Sequence, residues 1–267
     1  MPEVSTDHWE AAVEAYQAQL RAYFDERGRG DTVATQRTIQ INSTLVPKRG
    51  DALVGHLERL TPTTLRDRDV LEVGSGFGAL GTYLATTHGP RSLVGIDQQA
   101  DLIGVATRAV HGAGLDDAIR FAQGDMVDLA PVADGSIDVV LVNNAFLYLT
   151  TRDAMTAALG AFRRVLRPGG WLLMYHANRW RWTEPFTGDP IVHLLPAPAA
   201  RQVCRATGWR HNHGRVKLLS PPATRRLVRR AGFADVTVEP AGTTGRRRGP
   251  GRHVSGFFAV AGRRPNG

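Results

Sequence analysis

Val70-Leu71-Glu72-Val73-Gly74-Ser75-Gly76-Phe77-Gly78 is an apolar strand with one acid near its end, breaking into three glycines at alternate positions. Glycines at such a break let the chain turn tightly from strand into helix and approach a bound molecule with no Cβ in the way. A helix beginning near Ala79 then offers free N–H groups at its start. The segment predicts a site for a nucleotide-like cofactor.

Two cofactors compete for it. Gly76-x-Gly78-x-x-Gly81, with Asp97 nineteen residues past Gly78, fits the dinucleotide fingerprint and keeps a nicotinamide-dependent oxidoreductase open. In that fingerprint, however, the strand runs apolar up to the first glycine, whereas here Glu72, Gly74 and Ser75 intervene. A carboxylate at Glu72 repels a diphosphate, but it can order the loop and attract the cationic amino-acid end of S-adenosylmethionine.

Read as acid-x-Gly-x-Gly-x-Gly, Glu72 to Gly78 resembles the first motif of the class I S-adenosylmethionine-dependent methyltransferases. Further landmarks follow in that family's order. Ser92-Leu93-Val94-Gly95-Ile96 reads as a second strand ending in Asp97, and Ile119 to Met126 is similar to the third motif. Ile137 to Val142 is a fourth strand opening at Asn143-Asn144-Ala145-Phe146, and Leu166-Arg167-Pro168-Gly169-Gly170 precedes a fifth, Trp171 to Tyr175. The resemblance implies a Rossmann-like α/β fold: a seven-stranded, mostly parallel sheet with helices on both faces, and S-adenosyl-L-methionine as cofactor. It also implies roles. Asp97 accepts the ribose hydroxyls, Asp125 bonds the adenine amino group, and the N–H of Met126 faces the ring. Glu72, Gly74, Ser75, Gly76, Gly78, Gln98 and Asn143 complete the expected cofactor set.

With 267 residues, 42% of them hydrophobic, the chain can bury a full core as one domain with additions. Its single cysteine, Cys204, forms no internal disulfide, and neither a signal-like start nor an apolar run of membrane-spanning length is present. A cytoplasmic protein is expected. The net charge of +8 is unevenly placed: residues 1 to 200 carry 18 basic and 23 acidic side chains, and residues 201 to 267 carry 15 and 2. Such a tail marks either a solvated basic face or a surface for nucleic acid, anionic lipid or an acidic substrate.

Trp9, Val13, Tyr16, Leu20 and Tyr23 recur at helical spacing, so residues 1–60 are expected as a helical extension, docked on the core or acting as a lid. Gly28-Arg29-Gly30 ends the first helix, residues 31–49 suit a loop or short helix near the pocket mouth, and Leu53, Val54, Leu57 and Leu60 form another helical face. Residues 61–267 are expected as the cofactor-binding domain, with an acceptor-side insertion over 176–219. Ser220-Pro221-Pro222 starts a helix, Ala223 to Ala231, and Asp235 to Glu239 and Ser255 to Ala261 read as closing strands joined by a basic loop, Gly242 to Arg252, holding Arg246-Arg247-Arg248. No metal-spaced Cys/His cluster occurs, and His211-Asn212-His213 reads as a solvated loop.

The insertion opens His176-Ala177-Asn178-Arg179-Trp180-Arg181-Trp182 and continues through Glu184, Phe186, Asp189 and His193. Its pattern resembles a branch of methyltransferases acting on small molecules, often in glycan or natural-product pathways. Trp180, Trp182 and Phe186 are suited to stacking on a sugar or ring, and Arg179, Glu184, Asp189 and His193 to bonding hydroxyls; the same residues also suit tying the insertion down. Many relatives carry a Glu-His pair after strand four, where this chain has Leu147 and Tyr148. His193, His176 and Tyr148 remain as candidates for acid/base or acceptor-shaping roles.

The expected function is O-methylation of a small hydroxylated acceptor, a glycan or secondary metabolite. An RNA methyltransferase is the alternative, motivated by the basic tail and by Arg225, Arg226, Arg229 and Arg230 on one helix; Asn143-Asn144-Ala145-Phe146 lacks the Asn/Asp-Pro-Pro-aromatic tetrad of enzymes acting on base amino groups. A non-catalytic domain of this fold is the third reading, and the intact Glu72, Gly74, Gly76, Gly78, Asp97 and Asp125 count against it.

Overall fold

The computed structural model describes residues 6–183, 188–209, 215–241 and 256–266. Glu184, Phe186, the His211-Asn212-His213 run and the Gly242 to Arg252 loop lie outside the described residues.

Three helices come first: α1 (Thr6–Asp25), α2 (Val33–Ile41) and α3 (Val46–Leu60). Strands and helices then alternate as β1 (Asp69–Val73), α4 (Ala79–Thr87), β2 (Ser92–Asp97), α5 (Ala100–Gly112), β3 (Arg120–Gln123), β4 (Ile137–Asn143), α6 (Arg152–Val165) and β5 (Leu166–Ala177). After the insertion, which carries α7 (Ala197–Thr207), come α8 (Pro221–Arg230), β6 (Ala234–Ala241) and β7 (Phe257–Arg263). The sheet order is β3-β2-β1-β4-β5-β7-β6, with β7 antiparallel to both its neighbours and the other pairs parallel. The expected mixed seven-stranded sheet is therefore present, and its strand order reverses between β1 and β4. Ligands bind at such switch points, beyond the carboxyl ends of the strands.

Two cores flank the sheet. Tyr16, Leu57, Leu84 and Val139 belong to one, under α1, α3, α4 and α5. Phe146, Phe162, Val228 and Phe258 belong to the other, under α6 and α8. β1 and β4 are buried on both faces, which is why their sequences run apolar rather than alternating.

The aromatic stripe of α1 packs into the first core. Trp9 meets Tyr83 edge to face at 5.2 Å, and the Tyr16 hydroxyl lies 2.8 Å from Thr82 Oγ1. Residues 31–49, read from sequence as a loop or short helix, hold α2, whose start is capped by the Thr32 side chain accepting from the Thr35 N–H at 3.1 Å. Ser220 stands at the start of α8 as expected, though its hydroxyl forms no capping bond.

The Arg167-Pro168-Gly169-Gly170 segment is drawn into β5 as an irregularity facing Ile137 and Val139. Gly170 is squeezed there: a Cβ would sit 2.9 Å from the Arg167 carbonyl oxygen and 3.0 Å from that of Asp138.

Candidate cofactor and acceptor site

A cavity of about 320 Å³ opens at the carboxyl ends of β1, β2 and β4. Its floor is the loop from β1 into α4. The N–H groups of Gly74 and Ser75 both donate to the Ile96 carbonyl, at 2.7 and 3.0 Å, which holds the loop against β2. Gly74 adopts φ +72°, and a Cβ there would collide with Ala145 at 2.2 Å. Gly76 adopts φ +56° with nothing within 4 Å of where its Cβ would be, so the bare backbone borders open space.

Asp97 ends β2 beside this loop. Its Oδ2 accepts the Gly76 N–H at 2.9 Å and its Oδ1 the Gln99 N–H at 3.0 Å. Each carboxylate oxygen keeps a further lone pair, so the group can still accept a pair of ligand hydroxyls. Asp125 lines the same cavity and accepts the Val127 N–H through Oδ1 at 3.0 Å.

Of the sequence-predicted cofactor residues, Gly74, Ser75, Gly76, Asp97, Gln98, Asp125, Met126 and Asn143 line this one cavity, and Tyr148 joins them. These groups fit a nucleoside with a vicinal diol: two carboxylates, Asp97 and Asp125, line the cavity together with the exposed backbone of the glycine loop.

Glu72 and Gly78 are not among the lining residues. Gly78 caps α4 in the left-handed region, against Phe121 and Ala106. Glu72 is buried beneath α4, where burial pushes its carboxyl pKa up to about 8, outweighing the nearby Arg49 and the Gly81 backbone. Such a carboxyl is largely protonated at neutral pH. The side chain lies against α4, where a Cβ on Gly81 would sit 2.5 Å from Oε2.

The two candidate histidines also sit elsewhere. Successive β5 side chains alternate between faces, so His176 enters the second core between Phe146 and Phe258, with ring centroids 5.8 and 5.7 Å away. Burial lowers its pKa to about 3. His193 lies on the turn Val192–Leu194, where Nε2 donates to the Arg179 and Arg181 carbonyls at 3.0 and 3.1 Å and ties the insertion to its own beginning. Neither lines the cavity.

Several lining residues were not singled out from sequence. Asn42 reaches the cavity from between α2 and α3, in the stretch to which sequence assigns no chemistry. Phe77 is held edge to face by Tyr23 at 5.4 Å, which links α1 to the loop. Asn144 takes φ +53° and joins the ends of β4 and β5: its N–H donates to the Tyr175 carbonyl at 2.8 Å, and its Oδ1 accepts the Ala177 N–H at 3.0 Å. Asparagine tolerates that backbone region better than most residues, which was a usable signal in the Asn143-Asn144 pair. Trp180 and Trp182 are 49% and 72% exposed and do not line the cavity.

A family model described as a methyltransferase domain matches residues 70–170. The chain is 41% identical over 117 residues to a fatty-acid O-methyltransferase of Mycolicibacterium smegmatis, covering 43% of this chain and 39% of that one. It is 33% identical over 150 residues to phthiotriol/phenolphthiotriol dimycocerosates methyltransferase 1 of Mycobacterium ulcerans, covering 54% and 52%. The chain thus spans about half or less of the length of these curated relatives, 39% and 52%. Among solved structures, an S-adenosylmethionine-dependent methyltransferase from Mesorhizobium loti aligns with TM-score 0.56 at 19% identity over 80% of this chain and 98% of that one. A putative sarcosine dimethylglycine methyltransferase from Galdieria sulphuraria aligns with TM-score 0.57 at 15% identity, over 93% and 99%. At these identities the two structures show the fold.

Proposed function

We propose that the chain is a class I S-adenosylmethionine-dependent methyltransferase, as its match to a methyltransferase-domain model over residues 70–170 and its fold support, and that it transfers the methyl group to a carboxylate oxygen of a small acceptor. The observation that carries the transfer is the convergence of the glycine loop, Asp97 and Asp125 on one cavity. When bound, the cofactor supplies an already activated methyl on its sulfonium. The chain has to hold it by the ribose and adenine, align the acceptor in line with sulfur, and keep water out.

Two features support a carboxylate. Tyr148 is the titratable side chain beside the two lining carboxylates in the described lining; it is half exposed, and partial desolvation moves its hydroxyl pKa upward from 10. An acceptor that arrives ionised asks no base of this site, whereas a hydroxyl does. The curated relative from Mycolicibacterium smegmatis is named a fatty-acid O-methyltransferase, which agrees in acceptor atom. The hydroxylated acceptor expected from sequence is the second reading, with the Tyr148 hydroxyl available to orient it.

Labelled S-adenosylmethionine offered with a panel of carboxylic acids and hydroxylated metabolites tests the choice. Labile, base-hydrolysable label, that is methyl ester, is the expected product. Alkali-stable ether label alone moves the assignment to hydroxyls. No transfer despite tight S-adenosylhomocysteine binding rejects both acceptor classes.

A further inference from the structure

From Pro190 to Ala234 the sequence contains no acidic residue and nine arginines or lysines. The structure gathers much of this charge around α8. Arg152, Lys217, Arg226 and Arg230 line a cleft of about 240 Å³ whose apolar wall includes Met155 and Leu219. Arg225, Arg226 and Arg229 line a second of about 350 Å³. Among the described residues, no carboxylate forms an ion pair with Arg152 or with any of the four arginines of α8.

Exposed apolar groups lie alongside. Trp180 and Trp182 are 49% and 72% exposed, and Leu194 is 37% exposed. The turn that carries the tryptophans, just past β5, is stitched to the basic cleft: Asn178 bridges to Leu219, and the Arg179 N–H donates to the Leu219 carbonyl at 3.0 Å. The cleft in turn meets the cofactor cavity, since the Lys217 N–H donates to the Leu147 carbonyl at 2.7 Å, next to Tyr148 on the cavity wall. The basic cleft, the turn that bears the exposed indoles and the cavity rim are therefore joined through the backbone of Lys217 and Leu219.

Single-stranded RNA would neutralise the arginines and stack a base on an indole, but it leaves the apolar Leu194 in water. An anionic bilayer takes all of these, because indoles favour the headgroup region and basic side chains are drawn to its phosphates. We infer that this face docks onto a bilayer rich in anionic phospholipid, with Trp180 and Trp182 entering the headgroup layer and Arg226 and Arg230 contacting lipid phosphates. Docking in this orientation sets the cofactor cavity beside the lipid phase, so that an amphipathic acceptor reaches it from the membrane. The docking itself does not depend on which acceptor is methylated, or on methyl transfer at all.

The test is sedimentation of the full chain with vesicles of phosphatidylcholine alone or mixed equally with phosphatidylglycerol, at about 0.1 M salt. Tryptophan emission is read in the same samples. The chain is expected to pellet with the mixed vesicles only, with a blue shift and protection from an aqueous quencher. Trp180→Ala/Trp182→Ala and Arg226→Gln/Arg230→Gln are each expected to cut partitioning by about tenfold or more. S-adenosylhomocysteine titration verifies that the variants are folded and keeps failure of docking distinct from failure of the methyltransferase reading. Equal binding to neutral and mixed vesicles, or no emission change in the wild-type chain on mixed vesicles, overturns the inference. So does loss in the arginine variant alone with displacement by single-stranded RNA, which reassigns the face to nucleic acid.

Discussion

A Cβ on Gly81 would lie 2.5 Å from Oε2 of Glu72. The third glycine of what reads as a dinucleotide fingerprint therefore makes room for a buried carboxyl under the loop, and needs no pyrophosphate to explain it. Ile119 and Leu93 close the same space, at 2.9 and 3.2 Å from that Cβ. Gly81→Ala is expected to cost about 1–3 kcal/mol of stability through overpacking. The measurement is the shift in urea midpoint, and an unchanged midpoint would mean that the packing beneath α4 is looser than this.

Glu72 also gives the stability a pH dependence. Its folded pKa, about 8, lies above the ordinary carboxyl value, so the folded state holds the proton more tightly than the unfolded chain. That contribution is complete below about pH 4 and is lost as pH rises through 8. Glu72→Gln, which mimics the protonated form, should flatten the melting temperature between pH 5 and pH 9, where the wild type declines. Parallel curves for the two proteins would show that the carboxyl is ionised in place.

Asp97 holds the glycine loop as well as facing the cavity, through the N–H groups of Gly76 and Gln99. Asp97→Ala is expected to weaken S-adenosylhomocysteine binding by about 1.5–3 kcal/mol, since it removes hydrogen bonds to a charged acceptor. Calorimetric titration reads this directly, and unchanged affinity would contradict the assignment of Asp97 to the ribose.

His176 separates a structural from a catalytic histidine. Its pKa is lowered from 6.5 to about 3 by burial, so its favourable contribution is present above about 6.5 and is lost as pH falls toward 3. His176→Phe should keep methyl transfer within about twofold and gain about 1–2 kcal/mol relative to the wild type near pH 5. A collapse of turnover with the fold intact would restore the histidine as a base.

At the opposite end of the sheet, Asp69 and Asp138 share Arg91 and Arg167, and Arg167 reaches the two acids at 2.8 and 2.9 Å. The Arg91 guanidinium in particular holds the Asp69 carboxyl well below the usual carboxylate range. A depressed folded pKa contributes above about pH 4 and fades as pH falls below it. Asp69→Asn is expected to cost about 1 kcal/mol at pH 7 and to converge with the wild type under acid conditions. Thermal denaturation at both pH values checks it.

Residues 69 to 177 were legible because their signals are local. Apolar runs fix the strands, glycines fix the turns, and the position of Asp97 after its strand places it at the carboxyl edge of any parallel sheet. Eight of the ten predicted cofactor residues accordingly line one cavity. Glu72 and the two histidines lie away from that cavity for one reason. Sequence names the strand or turn that carries a side chain, but depth and facing depend on what packs over it, as α4 does over Glu72 and Phe146 and Phe258 do around His176.

The order of strands and helices, the glycine loop and the two acids beside it are written locally in the chain, since they follow from backbone freedom and hydrophobic period within a few residues. It took long-range packing to bring Asn42 and Tyr148 into one cavity, to make His193 a tie, and to leave the tryptophans of the insertion in solvent. Those outcomes rest on contacts between segments far apart in the chain, and no local pattern encodes which face a long-range neighbour will cover.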